Sequence, residues 1–160
     1  MALLQRLANT TAPRAVILIR ILVGGTFISE GIQKFLFAVA LGAGRFEKIG
    51  IPAAQFFGPF VGACELIGGV LLVVGLLTRP ASVMLLISMS VAIVSTKLPI
   101  LLGHPIWGFS LPKLQQYGIW STLHEARADL SMILGLLFLL IVGAGPWSFD
   151  AKLVGGKSAP

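Results

Sequence analysis

The sequence predicts an all-α integral membrane protein, a bundle of four transmembrane helices in up-down order that forms one membrane domain over residues 1–160. Three observations predict it. Hydrophobic residues make up 56% of the chain and Asp, Glu, Lys and Arg together only 11%, where a soluble domain carries about 25% charged residues. Mean hydropathy is +0.95. The apolar residues gather into four runs approaching the roughly 20 residues that a helix needs to cross a bilayer core of about 30 Å. So few charges cannot cover the surface of a small water-soluble globule. Disorder requires low hydrophobicity and collagen a strict glycine period, so both are excluded as well.

The first span is expected over residues 15–37. The triplet Ala38-Val39-Ala40 resembles a signal-peptidase site, but Glu30, Gly31, Gln33 and Lys34 interrupt the region before it and the apolar stretch has the length of a full span. The second span is expected over 58–77, stopped by Thr78, Arg79 and Pro80. The third covers 81–97 and fades at Lys97 and Pro99. The fourth covers 126–142 and ends at Gly143, Gly145 and Pro146, residues that stop helices. A long loop over 98–123 joins the last two; it carries Trp107, Phe109, Tyr117 and Trp120 among Pro99, Pro105 and Pro112. Such a loop is expected to lie at headgroup depth, to cover a polar pocket, or both. The tail from Lys152 to Pro160 is small and basic, and fraying is expected there.

The net charge of +6 comes from twelve basic and six acidic residues that are scattered singly. Nucleic-acid binding would need the basic residues on one wet face, so no nucleic-acid partner is expected. Basic residues in loops orient the spans instead. Arg6, Arg14, Arg79, Lys152 and Lys157 lie on one side, against Arg45, Lys48 and Lys113 on the other. That count favours both termini in the cytoplasm of a multi-pass protein of the bacterial inner membrane; it evens out when Lys34, Lys97 and Arg127 at the helix ends are included.

Ionisable groups inside a span cost about 2.5–3.5 kcal/mol at the helix centre, so they mark candidate sites. In the first span Arg20, Gly24, Phe27, Glu30, Gly31 and Lys34 share an arc of about 120°, and Glu30 and Lys34 form an i,i+4 acid-to-base pair. In the second span Gly58, Gly62, Glu65 and Gly69 share a narrow face. Small residues let helices approach closely in membranes, which directs Glu65 into the bundle. Up-down connectivity then gathers Glu30, Lys34, Glu65, Lys97, His124, Glu125, Arg127 and Asp129 at one membrane surface, here expected to be the outer one. Only Arg20 lies toward the other face. Glu30 and Glu65 are the candidates for proton handling, hence for catalysis. Arg20, Lys34, Lys97, His124, Glu125 and Asp129 are the candidates for lining a pocket.

Several chemistries find no support in the residues. A lone Cys64 permits neither an internal disulfide nor a Cys-x-x-Cys pair. A buried haem needs axial ligands at membrane depth, but His104 and His124 lie in or beside the loop. His124, Glu125 and Asp129 are suitable metal-ligand types without a recognised spacing, so no metal is assigned. No phosphate loop or dinucleotide fingerprint occurs in a strand–helix context. A carboxylate–ammonium cluster beside apolar helices suits proton-coupled handling of an amphipathic molecule such as a quinone, or ion-paired assembly of the bundle.

The order and spacing of several motifs resemble the DoxX family of four-helix bacterial membrane proteins. These are Arg20-x3-Gly24 with Gly31-x2-Lys34, Gly50-x-Pro52, Glu65-x2-Gly68-Gly69, Gly75-x-x-Thr78-Arg79, Gly143-x-Gly145-Pro146 and Ser148-x-Asp150. Many relatives carry His immediately before the glycine of the first span, where this chain has Glu30. The resemblance implies quinone-linked oxidoreduction, with quinone as a co-substrate and no cofactor assigned to the chain itself. It also implies partner subunits, as in the membrane subunit of a thiosulfate:quinone oxidoreductase, or self-association in the lipid bilayer. A non-enzymatic assembly subunit and a transporter of small molecules or lipids are the rival expectations.

Overall fold

The computed structural model describes Thr10 and residues 12–153. Arg6, Lys157 and most of the C-terminal tail, which entered the expectations above, lie outside the described residues. Helix α1 spans Val16–Leu36, and a short α2 spans Ala43–Ile49. Helix α3 spans Ala54–Val74 with Pro59 in its second turn. Helix α4 spans Thr78–Ala92 and continues through a π-helical turn at Ile93–Lys97 into α5, Leu98–Leu102. Helix α6 spans Ile119–Val142 and α7 spans Phe149–Leu153. Among the described residues there is no strand, only an isolated bridge between Ile106 and Phe109 in the loop.

Among the described residues three helical stretches are long and apolar enough to cross a membrane: Val16–Leu36, Ala54–Val74 and Thr78–Leu102. The expected four spans are thus matched by three. Helix α6 has the length, 24 residues, but Glu125, Arg127 and Asp129 load its first half with charge. Two boundaries also move. The third span does not stop at Lys97 but runs to Leu102, because the π turn widens the helix just ahead of Pro99 and accommodates its ring and missing N–H. Thr96 Oγ1 donates to the Ala92 carbonyl at 2.6 Å inside that turn. The second span starts earlier than expected, at Ala54, since a proline near a helix start leaves free only a carbonyl at the exposed Gln55. The loop shrinks accordingly to residues 103–118. It is anchored where the Ser110 N–H donates to the Ile49 carbonyl at 2.8 Å and the Gly118 N–H to the Ile100 carbonyl at 3.0 Å.

The long helices run antiparallel around one core. Val23 and Phe27 of α1 meet Leu72 of α3, Leu85 of α4, and Leu136 and Leu139 of α6. Outside that core the surface is apolar: Leu18, Leu22, Leu36, Ile87, Leu134 and Ile141 are all largely exposed. In lipid, burial of such side chains drives no association, and close van der Waals packing takes over. Helices α1 and α3 supply it. Gly24 backs onto Gly69 and Gly31 onto Gly62, so closely that a Cβ on Gly24 would fall 2.7 Å from the Gly69 carbonyl oxygen. On Gly31 it would fall 2.7 Å from that of Gly62.

This contact makes a paired prediction. Gly69→Val places a side chain 2.6 Å or less from the Gly24 carbonyl oxygen and lowers stability by about 1–3 kcal/mol through overpacking. Gly25→Val, where a Cβ meets nothing within 4 Å, changes it by less than about 0.5 kcal/mol. Thermal unfolding of the two variants in detergent micelles measures the difference.

Candidate functional site

The charged groups divide between the two ends of the bundle and do different work at each. At the end where α3 finishes, Arg20 of α1 is 2% exposed, and its guanidinium is committed to four backbone carbonyls. Nε donates to Leu72 at 2.8 Å and an Nη to Val73 at 2.5 Å, covering the last carbonyls of α3. The other Nη reaches Ala144 at 3.0 Å and Trp147 at 2.7 Å in the segment after α6. Asp150 of α7, 1% exposed, accepts from the N–H groups of Leu77 at 2.8 Å and Thr78 at 3.0 Å, where α4 begins. Arg79 donates to the carbonyls of Leu140 and Ile141 at the end of α6.

Each charge matches the sign of the helix end it covers: cations on C-terminal carbonyls, an anion on N-terminal N–H groups. Without water, every such backbone group left unpaired would cost several kcal/mol. The structure therefore sets Arg20, a candidate pocket residue, apart from the other candidates and occupies its donors with backbone.

At the opposite end side chains pair with side chains. Lys34 Nζ of α1 lies 2.5 Å from Glu65 Oε2 of α3 and 3.8 Å from Glu30 Oε2 one turn back on its own helix. The two carboxylates differ in access: the Glu65 side chain is 8% exposed and that of Glu30 49%. Ser88 of α4 is a polar neighbour of the Glu65 carboxylate. The glycine contact puts the pair there: Gly62, one turn from Glu65, packs against Lys34 and Phe35.

The remaining candidates form two further groups. Lys97, the last residue of the π turn, lies 3.3 Å from Asp129 of α6 and joins those helices. His124 and Glu125 line an open groove of about 500 Å³ with Gln115, Gln116, Trp120 and Ser121. The structure thus joins Glu30, Lys34 and Glu65, joins Lys97 with Asp129, and leaves His124 and Glu125 to a third place. No group of three or more His, Cys, Asp or Glu arranged to hold a metal occurs among the described residues.

Sequence reasoning missed Ser88, which its own span does not single out, since Ser82, Ser90, Ser95 and Thr96 share it. It also missed the capping work of Asp150 and Arg79, which had entered only as parts of motifs. Nothing local in the sequence marks them as caps, because the helix ends they cover lie 61 to 73 residues away in the chain.

Comparison with known proteins agrees with this architecture. The family model of DoxX matches residues 15–98. An uncharacterized membrane protein of Mycobacterium tuberculosis is 51% identical over 148 residues, covering 92% of this chain and 86% of the relative. No solved structure matches.

The energetics of the Lys34–Glu65 pair are testable. Lys34→Met strands a buried carboxylate and destabilises by about 3–5 kcal/mol, whereas Lys34→Met with Glu65→Met removes both charges and recovers most of that loss. Glu30→Gln, at a half-exposed position, costs less than about 1 kcal/mol. Thermal unfolding of the three variants in one detergent gives the ranking.

Proposed function

The chain belongs to the DoxX family, and from that premise we propose that it is the integral membrane subunit of a quinone-linked redox system, with Glu65, Lys34 and Glu30 as its proton-handling group. One observation carries the reading: a buried and a half-exposed carboxylate share a single ammonium, at 2.5 and 3.8 Å. That is a short path by which a proton moves between the bundle end and the apolar interior.

Reduction of a quinone takes up two electrons and two protons, and oxidation of the quinol releases them. In this reading the partner subunit exchanges the electrons, while Glu65 exchanges protons one at a time with the quinone oxygens and with Glu30. Lys34 keeps the exchange electrically balanced. While Glu65 is ionised, Lys34 pairs with it; when Glu65 takes a proton, the ammonium charge is matched by Glu30 one helical turn away. A quinone is uncharged and amphipathic, so it reaches such a site laterally through the bilayer.

Helix α6 serves as the fourth span, with Asp129 neutralised by Lys97 and the Arg127 guanidinium on the His124 carbonyl. An intramembrane charge is tolerated where it faces a protein partner. The protein resides in the bacterial inner membrane with both termini in the cytoplasm. Lys97 and Asp129 then hold helices together, and Arg20 closes the cytoplasmic end.

A second reading, an assembly subunit whose ion pairs only specify packing, is favoured by the commitment of Arg20, Arg79 and Asp150 to helix ends. Glu65→Gln separates the two in the assembled system. The redox reading expects the purified complex in normal yield with quinone turnover lowered about 100-fold or more, the scale of a lost acid–base group. The assembly reading expects reduced complex yield and unchanged turnover per complex.

A further inference from the structure

The groove at the start of α6 takes no part in the proton-handling group. Its floor is the first two turns of that helix, with Trp120, Ser121, His124 and Glu125, and its wall is the end of the loop, with Gln115 and Gln116. Its polar side chains differ in one respect from the charged groups that tie the helices together. Arg20, Lys34, Glu65, Arg79, Lys97, Asp129 and Asp150 all have protein partners. Among the described residues no hydrogen bond or ion pair engages the side chains of Gln115, Gln116, Ser121, His124 or Glu125. Five uncommitted polar side chains therefore face one space of about 500 Å³, beside an indole that is 81% exposed.

The chemistry of the lining narrows the occupant. Neither Lys nor Arg lines the groove and Glu125 does, which disfavours an anion. An ammonium offers only donors, and would leave the amide N–H₂ groups of Gln115 and Gln116 unmatched. A purely apolar ligand would desolvate all five polar side chains without compensation. Amides, a hydroxyl and an imidazole each present a donor and an acceptor, and the partner that offers both on every group is a set of hydroxyls. The exposed face of Trp120 adds a flat apolar platform for the C–H face of a ring. Its place at the first turn of a bundle helix is the headgroup depth favoured by Trp.

We propose that this groove binds a neutral, hydroxyl-rich ring, the sugar of a glycolipid headgroup or a free sugar, stacked on Trp120 and hydrogen-bonded by Gln115, Gln116, Ser121, His124 and Glu125. The site is independent of the redox reading, since none of its residues belongs to the Glu65–Lys34–Glu30 group.

The test is equilibrium binding of tritiated monoglucosyl diacylglycerol to the full chain in micelles of lauryldimethylamine oxide, a detergent without a sugar. Saturable binding is expected that unlabelled diacylglycerol does not displace. Trp120→Ala weakens it about tenfold or more, as truncation of an aromatic anchor does, and Trp107→Ala, outside the groove, leaves it unchanged. Displacement by millimolar glucose identifies a free sugar as sufficient; binding that glucose does not displace identifies the lipid-borne sugar. Displacement by diacylglycerol, absence of saturable binding, or native affinity in Trp120→Ala overturns the proposal. Should Trp120→Ala not fold, the Gln115→Ala, Gln116→Ala double variant at two exposed positions replaces it, with native affinity again counting against the site.

Discussion

The antiparallel contact of α1 with α3 fixes everything else of interest in the molecule. Two glycines seven residues apart on each helix, Gly24 and Gly31 against Gly69 and Gly62, bring the backbones together over two turns. A contact so close resists sliding: a one-residue shift of α1 would bring Ile32 in one direction, or Val23 and Glu30 in the other, against the α3 backbone. The register it sets places Arg20, one turn before Gly24, level with the last carbonyls of α3. It also places Lys34, one turn after Gly31, beside Glu65. Both buried cations of α1 thereby find partners on α3 through one packing decision. In lipid, where apolar burial gives no preference between registers, close packing and polar pairing must agree, and here they do.

The two ends of the bundle solve the same dielectric problem in different ways. At the Arg20 end charges are spent on backbone, where helix termini would otherwise leave carbonyls and N–H groups bare. Arg20, Arg79 and Asp150 together tie the α3–α4 turn, the end of α6 and α7 into one cap. Such charges have fixed backbone partners. At the Lys34 end the charges pair with one another, one ammonium lying between a buried and a half-exposed carboxylate. Of the nine ionisable residues that the sequence placed in or beside the spans, only Arg20 lies at the capped end.

Much of this was legible in the sequence, for physical reasons. Composition alone required a bilayer, and helical spacing put Arg20, Gly24, Gly31 and Lys34 on the buried side of α1; Glu30, at the edge of that arc, emerges half exposed. Up-down connectivity brought Lys34 to the end that holds Glu65. What escaped was set by contacts distant in the chain or by local backbone geometry. Proline statistics stop a helix at Pro99 unless something widens the turn before it, and a π turn leaves no compositional trace. The convergence of charge at one end was read as one pocket, but connectivity fixes only height along the bundle, not position around it. Helix α1 faces α3 while Lys97 faces α6, so the expected single cluster becomes Glu30–Lys34–Glu65, Lys97–Asp129 and the groove at His124 and Glu125.

That separation leaves Glu30, Lys34 and Glu65 as a group of their own. A buried ion pair with one carboxylate and one ammonium is inert: protonating the acid strands the cation, and the desolvation penalty of an unpaired charge resists the step. A second carboxylate on the same ammonium removes the obstacle, because the cation is never without an anion in reach. Glu30 supplies that anion from a half-exposed position, while Glu65 is buried. Glu30 thus gives the buried Lys34–Glu65 pair a second negative charge, 3.8 Å from the ammonium.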